Sequence, residues 1–327
     1  MQALLDALKA IAEPTRLRLL ALLARAELTV TEITQVLKQS QPRVSRHLKL
    51  MVEAGLLRRF PEGTWVFYRL AEDGEAARLA KAVTALMEAG DPVLAEDAAR
   101  LETIRKARAE EAAAYFAANA AQWNETRALY LPEEAIEQAM SEMLGPRPIG
   151  TLLDLGTGTG RILEVLGPRA ERAIGIDTSH EMLGIARANL ERAGLRHAQV
   201  RYGNLLRLDP GALGLAPQGD VVVLHHVLHF FEHPQEAVVQ AARLLSPGGR
   251  MLIADFAPHA LEQLRESHAH RRLGFADREV AAWAEAAGLT LAEARDLPPA
   301  GSAQLTVKVW LLEKPKGAAT RRAGEAA

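Results

Sequence analysis

The chain has 327 residues, 49% of them hydrophobic, with a formal net charge of −2 and no cysteine. A chain of this length buries more than one core, and ordinary domain sizes suggest two units. Disulfides and thiolate metal sites are excluded; no apolar run approaches a bilayer-spanning length, and the start "MQALLDALKAIAEPTRLR" is an amphipathic helix with acidic residues rather than a signal peptide, so a cytoplasmic protein with no membrane partner is expected.

Residues 1–95 are predicted to be short helices closed by a β-ribbon. "TVTEITQVLK" forms one helix, with Thr31 as a cap and Glu32 in its first turn, and "QSQ" makes the turn that follows. In "SQPRVSRHLK" Ser40 is an N-cap and Pro42 suits a first helical turn, where its missing N–H costs nothing. Val44, Leu48 and Met51 follow at helical spacing and face a core, which leaves Gln41, Arg43, Ser45, Arg46, His47 and Lys49 on or near the open side. Two such helices make a helix-turn-helix whose second helix enters a DNA major groove. Arg and Lys neutralise phosphates there, while Gln41, Ser45 and Arg46 are placed to reach base edges. "LLRRFPEGTWVFYRL" then supplies two strands around the turn signal Pro61-Glu62-Gly63, with Arg58, Arg59, Thr64 and Arg69 as a wing on the flanking backbone. The charge agrees: between residues 38 and 69 seven lysines and arginines face only Glu53 and Glu62. The expected partner is a double-stranded DNA operator.

Residues 96–145 are rich in Ala, Glu and Arg and read as a helical connector, not a floppy linker. Tyr115, Phe116, Asn119 and Trp123 share one helix face, either as core packing or as a cover over a ligand. From residue 146 to 316 strands and helices alternate: "TLLDLG", "RAIGID", "AQVRYGN", "DVVVLHHV" and "GRMLIADF", then "LTLAEARDL" and "LTVKVWLLEK". That alternation predicts an α/β unit with a parallel sheet covered on both faces, seven strands in all. The tail 317–327 lacks the apolar residues to pack and is expected to be disordered.

The first of these strands runs into "GTGTG", where Gly156, Gly158 and Gly160 let the backbone turn tightly and approach a ligand. The spacing is G-x-G-x-G rather than the G-x-G-x-x-G of a dinucleotide pyrophosphate site. Asp177 closes the next strand, 21 residues after Gly156, where a carboxylate accepts both hydroxyls of a ribose. Asn204 follows the third strand and offers a carbonyl to an adenine amine, with Leu205 and Met182 as apolar walls. His225, His226, His229 and His233 cluster in sequence but fall on a strand end, a loop and a helix, so no shared rigid face and no metal is expected. "SHAHRRLGF", with His268, His270, Arg271 and Arg272, is either a solvated loop or an acceptor lid.

Two resemblances follow from these motifs. Residues 1 to about 90 resemble the ArsR family of winged-helix repressors in "EPTRLRLLALL", "LTVTEITQVLKQSQPRVSRHLKLMVEAGLL" and "WVFYRL". The resemblance implies a homodimer, held by the first helix and one near residues 75–90, reading a two-fold symmetric operator. Metalloid-sensing members carry cysteines at the start of the first helix of the pair; here stand Thr29 and Thr31, poor ligands for soft ions, so that sensing mode is lost. Residues 115–313 resemble class I S-adenosylmethionine (SAM)-dependent methyltransferases, a Rossmann-like fold, in "LLDLGTGTG", "GIDTS", "RYGN", "VVVLHHVLH" and "LLSPGGRMLIADF". This implies that Asp154, Gly156, Thr157 and Gly158 line the amino-acid and sulfur end, that Asp177 holds the ribose, and that Thr178 and Met182 flank the adenosine. It also sets Asn204 and Leu205 at the adenine, His225 behind the fourth strand, and the Tyr115–Trp123 segment over the cofactor. Asn204 departs from the family's more common aspartate.

Methyl transfer from a sulfonium is an in-line displacement that rests on positioning, so no universal catalytic residue is there to be found. Asp255, His225, His268 or His270 could serve as a base if the acceptor must lose a proton. Two functions stay open. The first is a regulator, a repressor, whose second domain senses SAM or S-adenosylhomocysteine (SAH); the whole arrangement resembles SAH-responsive regulators of methionine and SAM-cycle genes. The second is an active small-molecule methyltransferase with an autoregulatory DNA-binding domain.

Overall fold

The computed structural model describes residues 1–62, 65–71, 73–87, 90–127, 132–208, 211, 219–299 and 304–316, with side chains except at 111–113, 115–127 and 266–267. Thr64, the tail 317–327 and the side chains of Tyr115 and Trp123 lie outside these. The chain divides into two compact units, Met1–Ala113 and Ala114–Ala327. Among the described residues no helix is long and apolar enough to cross a membrane.

The first unit runs α1 (Gln2–Ile11), α2 (Pro14–Leu23), β1 (Leu28–Thr29), α3 (Val30–Leu37), α4 (Gln41–Glu53), β2 (Leu57–Glu62), β3 (Trp65–Leu70), α5 (Glu75–Leu86) and the start of α6 (Pro92–Arg127). Val44, Leu48 and Met51 of α4 are fully buried with Leu19, Leu20 and Ile33, the seam expected from their spacing. Pro42 sits in the first turn of α4 and Ser40 stands at its N-cap, as expected, but Ser40 makes no side-chain cap bond. The cap of α3 also differs, being Thr29 rather than Thr31. Glu32 N–H donates to Thr29 Oγ1 (3.2 Å) and Thr29 N–H to Glu32 Oε2 (2.7 Å). This reciprocal capping box satisfies two donors that Thr31, one residue inside the helix, cannot reach. Strand order is β1-β3-β2, and edge strand β2 tolerates Pro61 within its pairing. Pro61 and Glu62 pair with Val66 and Trp65, so both belong to the strand rather than to a turn.

In the second unit α7 (Glu133–Leu144) leads into β4 (Ile149–Leu155), α8 (Arg161–Leu166), β5 (Ala170–Asp177), α9 (His180–Arg192), β6 (Ala198–Tyr202), β7 (Gly219–His225) and α10 (Pro234–Arg243). Then come β8 (Leu245–Phe256), α11 (Gln263–Ser267), α12 (Asp277–Ala286), β9 (Thr290–Leu297) and β10 (Val307–Glu313). The seven strands form one sheet in the order β6-β5-β4-β7-β8-β10-β9. β6 to β8 are parallel and β10 runs antiparallel to both its neighbours, so the sheet is mixed rather than purely parallel. Its interior strands are apolar on both faces. Leu152, Val221 and Val223 pack under α7, α8 and α9; Leu153, Ile174, Val222 and Leu224 pack under α10 and α12. Chain order reverses between β4 and β7, and the crevice beyond their C-terminal ends is where a sheet of this kind takes a ligand.

Candidate DNA interface and cofactor pocket

On α4 the side chains of Gln41, Arg43, Ser45, Arg46 and Lys49 are exposed. His47 is the exception. Its side chain is only 14% exposed and its Nδ1 lies 3.8 Å from Glu13 Oε2. Glu13 is itself the N-cap of α2, accepting from Arg16 N–H at 2.9 Å. Desolvation lowers the His47 pKa despite the carboxylate beside it. His47 therefore packs α4 against the start of α2 and leaves the open face to its neighbours. The wing needs a similar correction. Arg58 pairs with Arg69 and Arg59 with Tyr68, so the consecutive arginines project from opposite faces of the ribbon.

The connector reading holds less of α6 than expected, because its first half belongs to the winged-helix unit. Leu101 is buried in the same core as α3 and α4. Arg18 makes a two-pronged contact with Asp97, 2.7 Å on each oxygen, and also donates to Leu37 O at 3.1 Å. Arg100 joins Asp97 Oδ1 at 2.7 Å and donates to Val36 O. Orphan carbonyls at the C-terminus of α3 are thus satisfied from α2 and α6. At the other end of α3, Arg108 donates to Glu32 Oε1 (2.9 Å) and to Glu27 O (3.1 Å). α6 grips the first helix of the helix-turn-helix at both ends. The helical spacing of Asp97, Leu101, Ile104 and Arg108 carried that signal, submerged in an alanine-rich run.

In the second unit the glycine loop is sewn to the end of β5. Gly156 N–H and Thr157 N–H both donate to Ile176 O, at 2.8 and 3.0 Å. Gly156 has φ +82°, and a Cβ there would lie 2.5 Å from Val227 Cγ2; glycine is required by conformation and by space. Gly158 N–H donates to Asp177 Oδ2 (2.8 Å) and Ser179 N–H to Asp177 Oδ1 (2.9 Å). Asp177 so orders the loop around the position where its remaining lone pairs can take two hydroxyls. Behind it, Thr157 Oγ1 donates to Asp154 Oδ2 at 2.6 Å, while Asp154 Oδ1 is buried with no hydrogen-bond partner among the described residues. Burial, aided by the nearby Asp177 charge, pushes the Asp154 carboxyl up to about 7. A buried acceptor without a donor is what a cationic group of a ligand would satisfy.

Thr178 is exposed and Met182 half-buried on the first turn of α9, Leu205 is buried, and His225 ends β7. Asn204 is engaged differently from expectation. Its Oδ1 accepts from Leu206 N–H at 2.9 Å, capping a short 3-10 turn, so the carbonyl has one lone pair left for an adenine amine. His180 and Tyr202 stack at 4.4 Å between ring centroids at the ends of α9 and β6, a platform that the sequence reading missed. A histidine just after "GIDTS" and a tyrosine just before "GN" were its only signals.

Residues 13–59 match the model for the bacterial regulatory protein arsR family, and residues 153–253 match the one for a methyltransferase domain. An uncharacterized HTH-type transcriptional regulator of Methanocaldococcus jannaschii is 42% identical over 66 residues, 20% of this chain and 74% of that protein. The chain is an ArsR-family regulator fused to a methyltransferase domain. The arsenic resistance transcriptional regulator ArsR1 of Pseudomonas putida is 49% identical to the ArsR-type unit over 63 residues, 19% of this chain and 49% of that protein. For the methyltransferase unit, the demethylmenaquinone methyltransferase of Thermus thermophilus is 37% identical over 112 residues, 33% of this chain and 47% of that protein. The chain thus spans about half the length of those last two relatives.

Proposed function

We propose that this ArsR-type regulator is a cytoplasmic repressor of methionine and SAM-cycle genes whose methyltransferase unit binds SAM or SAH as its effector. The observation that carries the reading is the pair of carboxylates at the glycine loop. Asp177 orders the loop and faces ribose hydroxyls, and the unpartnered Asp154 Oδ1 takes the ligand's α-ammonium. SAM brings an electrophilic methyl on a sulfonium; the residues here bind and orient the molecule and need move no proton. Gly156, Thr157 and Gly158 supply backbone close to the amino-acid end, Thr178 and Met182 border the adenosine, and Leu205 and Asn204 border the base.

The protein acts on DNA as a homodimer. Leu4, Leu5 and Leu8 of α1 are 40–44% exposed and Leu86 of α5 is 82% exposed, apolar surface of the kind that a second copy covers. Arg43 and Lys49 of α4 and Arg59 of the wing meet phosphates, and Gln41, Ser45 and Arg46 meet base edges. Sensing is favoured over catalysis because the ArsR-type unit lacks the cysteines of metalloid sensors and needs another effector.

Calorimetry on the full chain tests the pocket. SAH and SAM bind one per chain, and Asp177→Ala weakens them by about ten- to a hundredfold, the loss of a charge-assisted hydrogen-bond pair. Equal affinity in the variant would place the ribose elsewhere.

A further inference from the structure

β7 ends at His225 and His226 follows it; on a regular strand two adjacent residues point to opposite faces. Here they do not. His226, the first residue beyond the strand, has φ +49°, while its N–H still donates to Ala254 O at 2.8 Å on the neighbouring strand. This left-handed residue breaks the alternation and brings its ring to 4.7 Å, centroid to centroid, from that of His225. A non-glycine residue held in that conformation costs free energy, and such strain gathers at functional sites.

The first turn of α7 adds a third group. Glu133 Oε2 lies 3.5 Å from His225 Nε2. One ligand atom from each of Glu133, His225 and His226 lies within 4.8 Å of the other two. Ligand atoms around a tetrahedral zinc ion at bonds of about 2.0–2.1 Å stand roughly 3.4 Å apart, so a small rotamer adjustment closes the set. The pocket wall behind is already built. His229 Nδ1 lies 2.8 Å from Asp255 Oδ1, and Asp255 also accepts N–H bonds from Leu228, His229 and Phe256. Asp255, fully buried and already engaged by these groups, is left as a support rather than a ligand.

We propose that Glu133, His225 and His226 form a site for a divalent transition-metal ion, Zn²⁺ in the first place, with at least one coordination position open to water or a small molecule. Two imidazoles and a carboxylate are a borderline donor set that suits Zn²⁺, Co²⁺ or Ni²⁺, and the set needs no thiolate in a chain that has none. Of the four histidines in this run the geometry brings His225 and His226 together and leaves His233 outside, and the proposal goes beyond the effector reading, since it requires neither SAM nor SAH.

The test uses the full chain, stripped with a chelator and titrated with Zn²⁺ against a chromophoric competitor, and separately with Co²⁺ followed by its visible absorption. One ion per chain is expected. Glu133→Gln, nearly isosteric, and His225→Asn each weaken Zn²⁺ roughly a hundredfold and change the Co²⁺ spectrum. His233→Gln, at an exposed histidine outside the set, leaves both unchanged. Circular dichroism of each variant establishes that the fold is kept. The proposal is overturned if the wild-type chain takes up no stoichiometric Zn²⁺ or Co²⁺, or if folded Glu133→Gln and His225→Asn bind as tightly as wild type.

Discussion

Arg108 and Glu32 join the long helix α6 to the helix-turn-helix through a carboxylate that is used twice. Arg108 Nε donates to Glu32 Oε1 at 2.9 Å, while Oε2 of the same group closes the capping box of α3 with Thr29. Any displacement of α6 at Arg108 is therefore felt at the first turn of α3. Arg108→Met keeps most of the aliphatic contact and removes the charge-assisted bonds, which are worth about 1.5–3 kcal/mol where partly buried. Faster amide exchange over Val30–Leu37 and weaker operator binding are expected, although Arg108 lies on neither proposed DNA-contacting element. Unchanged exchange in α3 would show the grip to be incidental.

The role proposed for Asp154 ties ligand binding to pH. Its folded-state value of about 7 stands above the ordinary carboxylate value of 3.8. It therefore favours the folded state fully below about pH 4, and that contribution is lost as the pH rises through 7. A difference of this size corresponds to several kcal/mol on full ionisation, at about 1.4 kcal/mol per unit. A ligand ammonium reverses the preference by stabilising the carboxylate. Binding of SAH near pH 6.5 should release a proton, and affinity should rise with pH through about 7. Calorimetry in buffers of different ionisation enthalpy measures the release, and Asp154→Asn abolishes it. A release of equal size in the variant would assign the proton to another group.

On the DNA side the proposed reading residue Arg46 lies on α4 and the proposed anchor Arg59 on the wing strand β2. Arg46→Ala is expected to relax operator choice by about 1–3 kcal/mol at one base position. Arg59→Ala instead weakens operator and scrambled DNA alike and lowers the salt slope by about one. His47→Gln has little effect on either, because that side chain faces Glu13. Isotherms on both DNAs at several salt concentrations separate the three. Identical behaviour of Arg46→Ala and Arg59→Ala would displace the reading face.

Much of this was legible in the sequence, for identifiable reasons. Val44, Leu48 and Met51 keep a helical period, and the strands of the second unit are apolar runs punctuated by glycine, so local pattern and tertiary packing agree there. Thr29 took the capping role from Thr31 because Glu32 stands three residues after Thr29, the capping-box spacing. Other features depend on distant partners. Nothing local tells His47 that Glu13 lies beside it, or Arg108 that Glu32 does, 76 residues away. The convergence of Glu133 on His225 and His226 rests on one left-handed residue, a conformation uncommon outside glycine that no local pattern announces.

The central claim is that effector and operator are coupled through one chain. The most direct measurement is fluorescence anisotropy on operator DNA titrated with SAH, SAM and adenosine, for wild type and for Asp177→Ala. A hundredfold loss of DNA affinity needs about 2.7 kcal/mol of coupling, and by linkage the ligand must distinguish the free and DNA-bound forms by that same amount. The expected result is release of the operator by SAH in the wild type, with the midpoint moved to higher SAH in Asp177→Ala. Operator affinity that stays constant at saturating SAH and saturating SAM would contradict the sensor reading and leave the second unit as a methyltransferase that happens to share its chain with a DNA-binding domain.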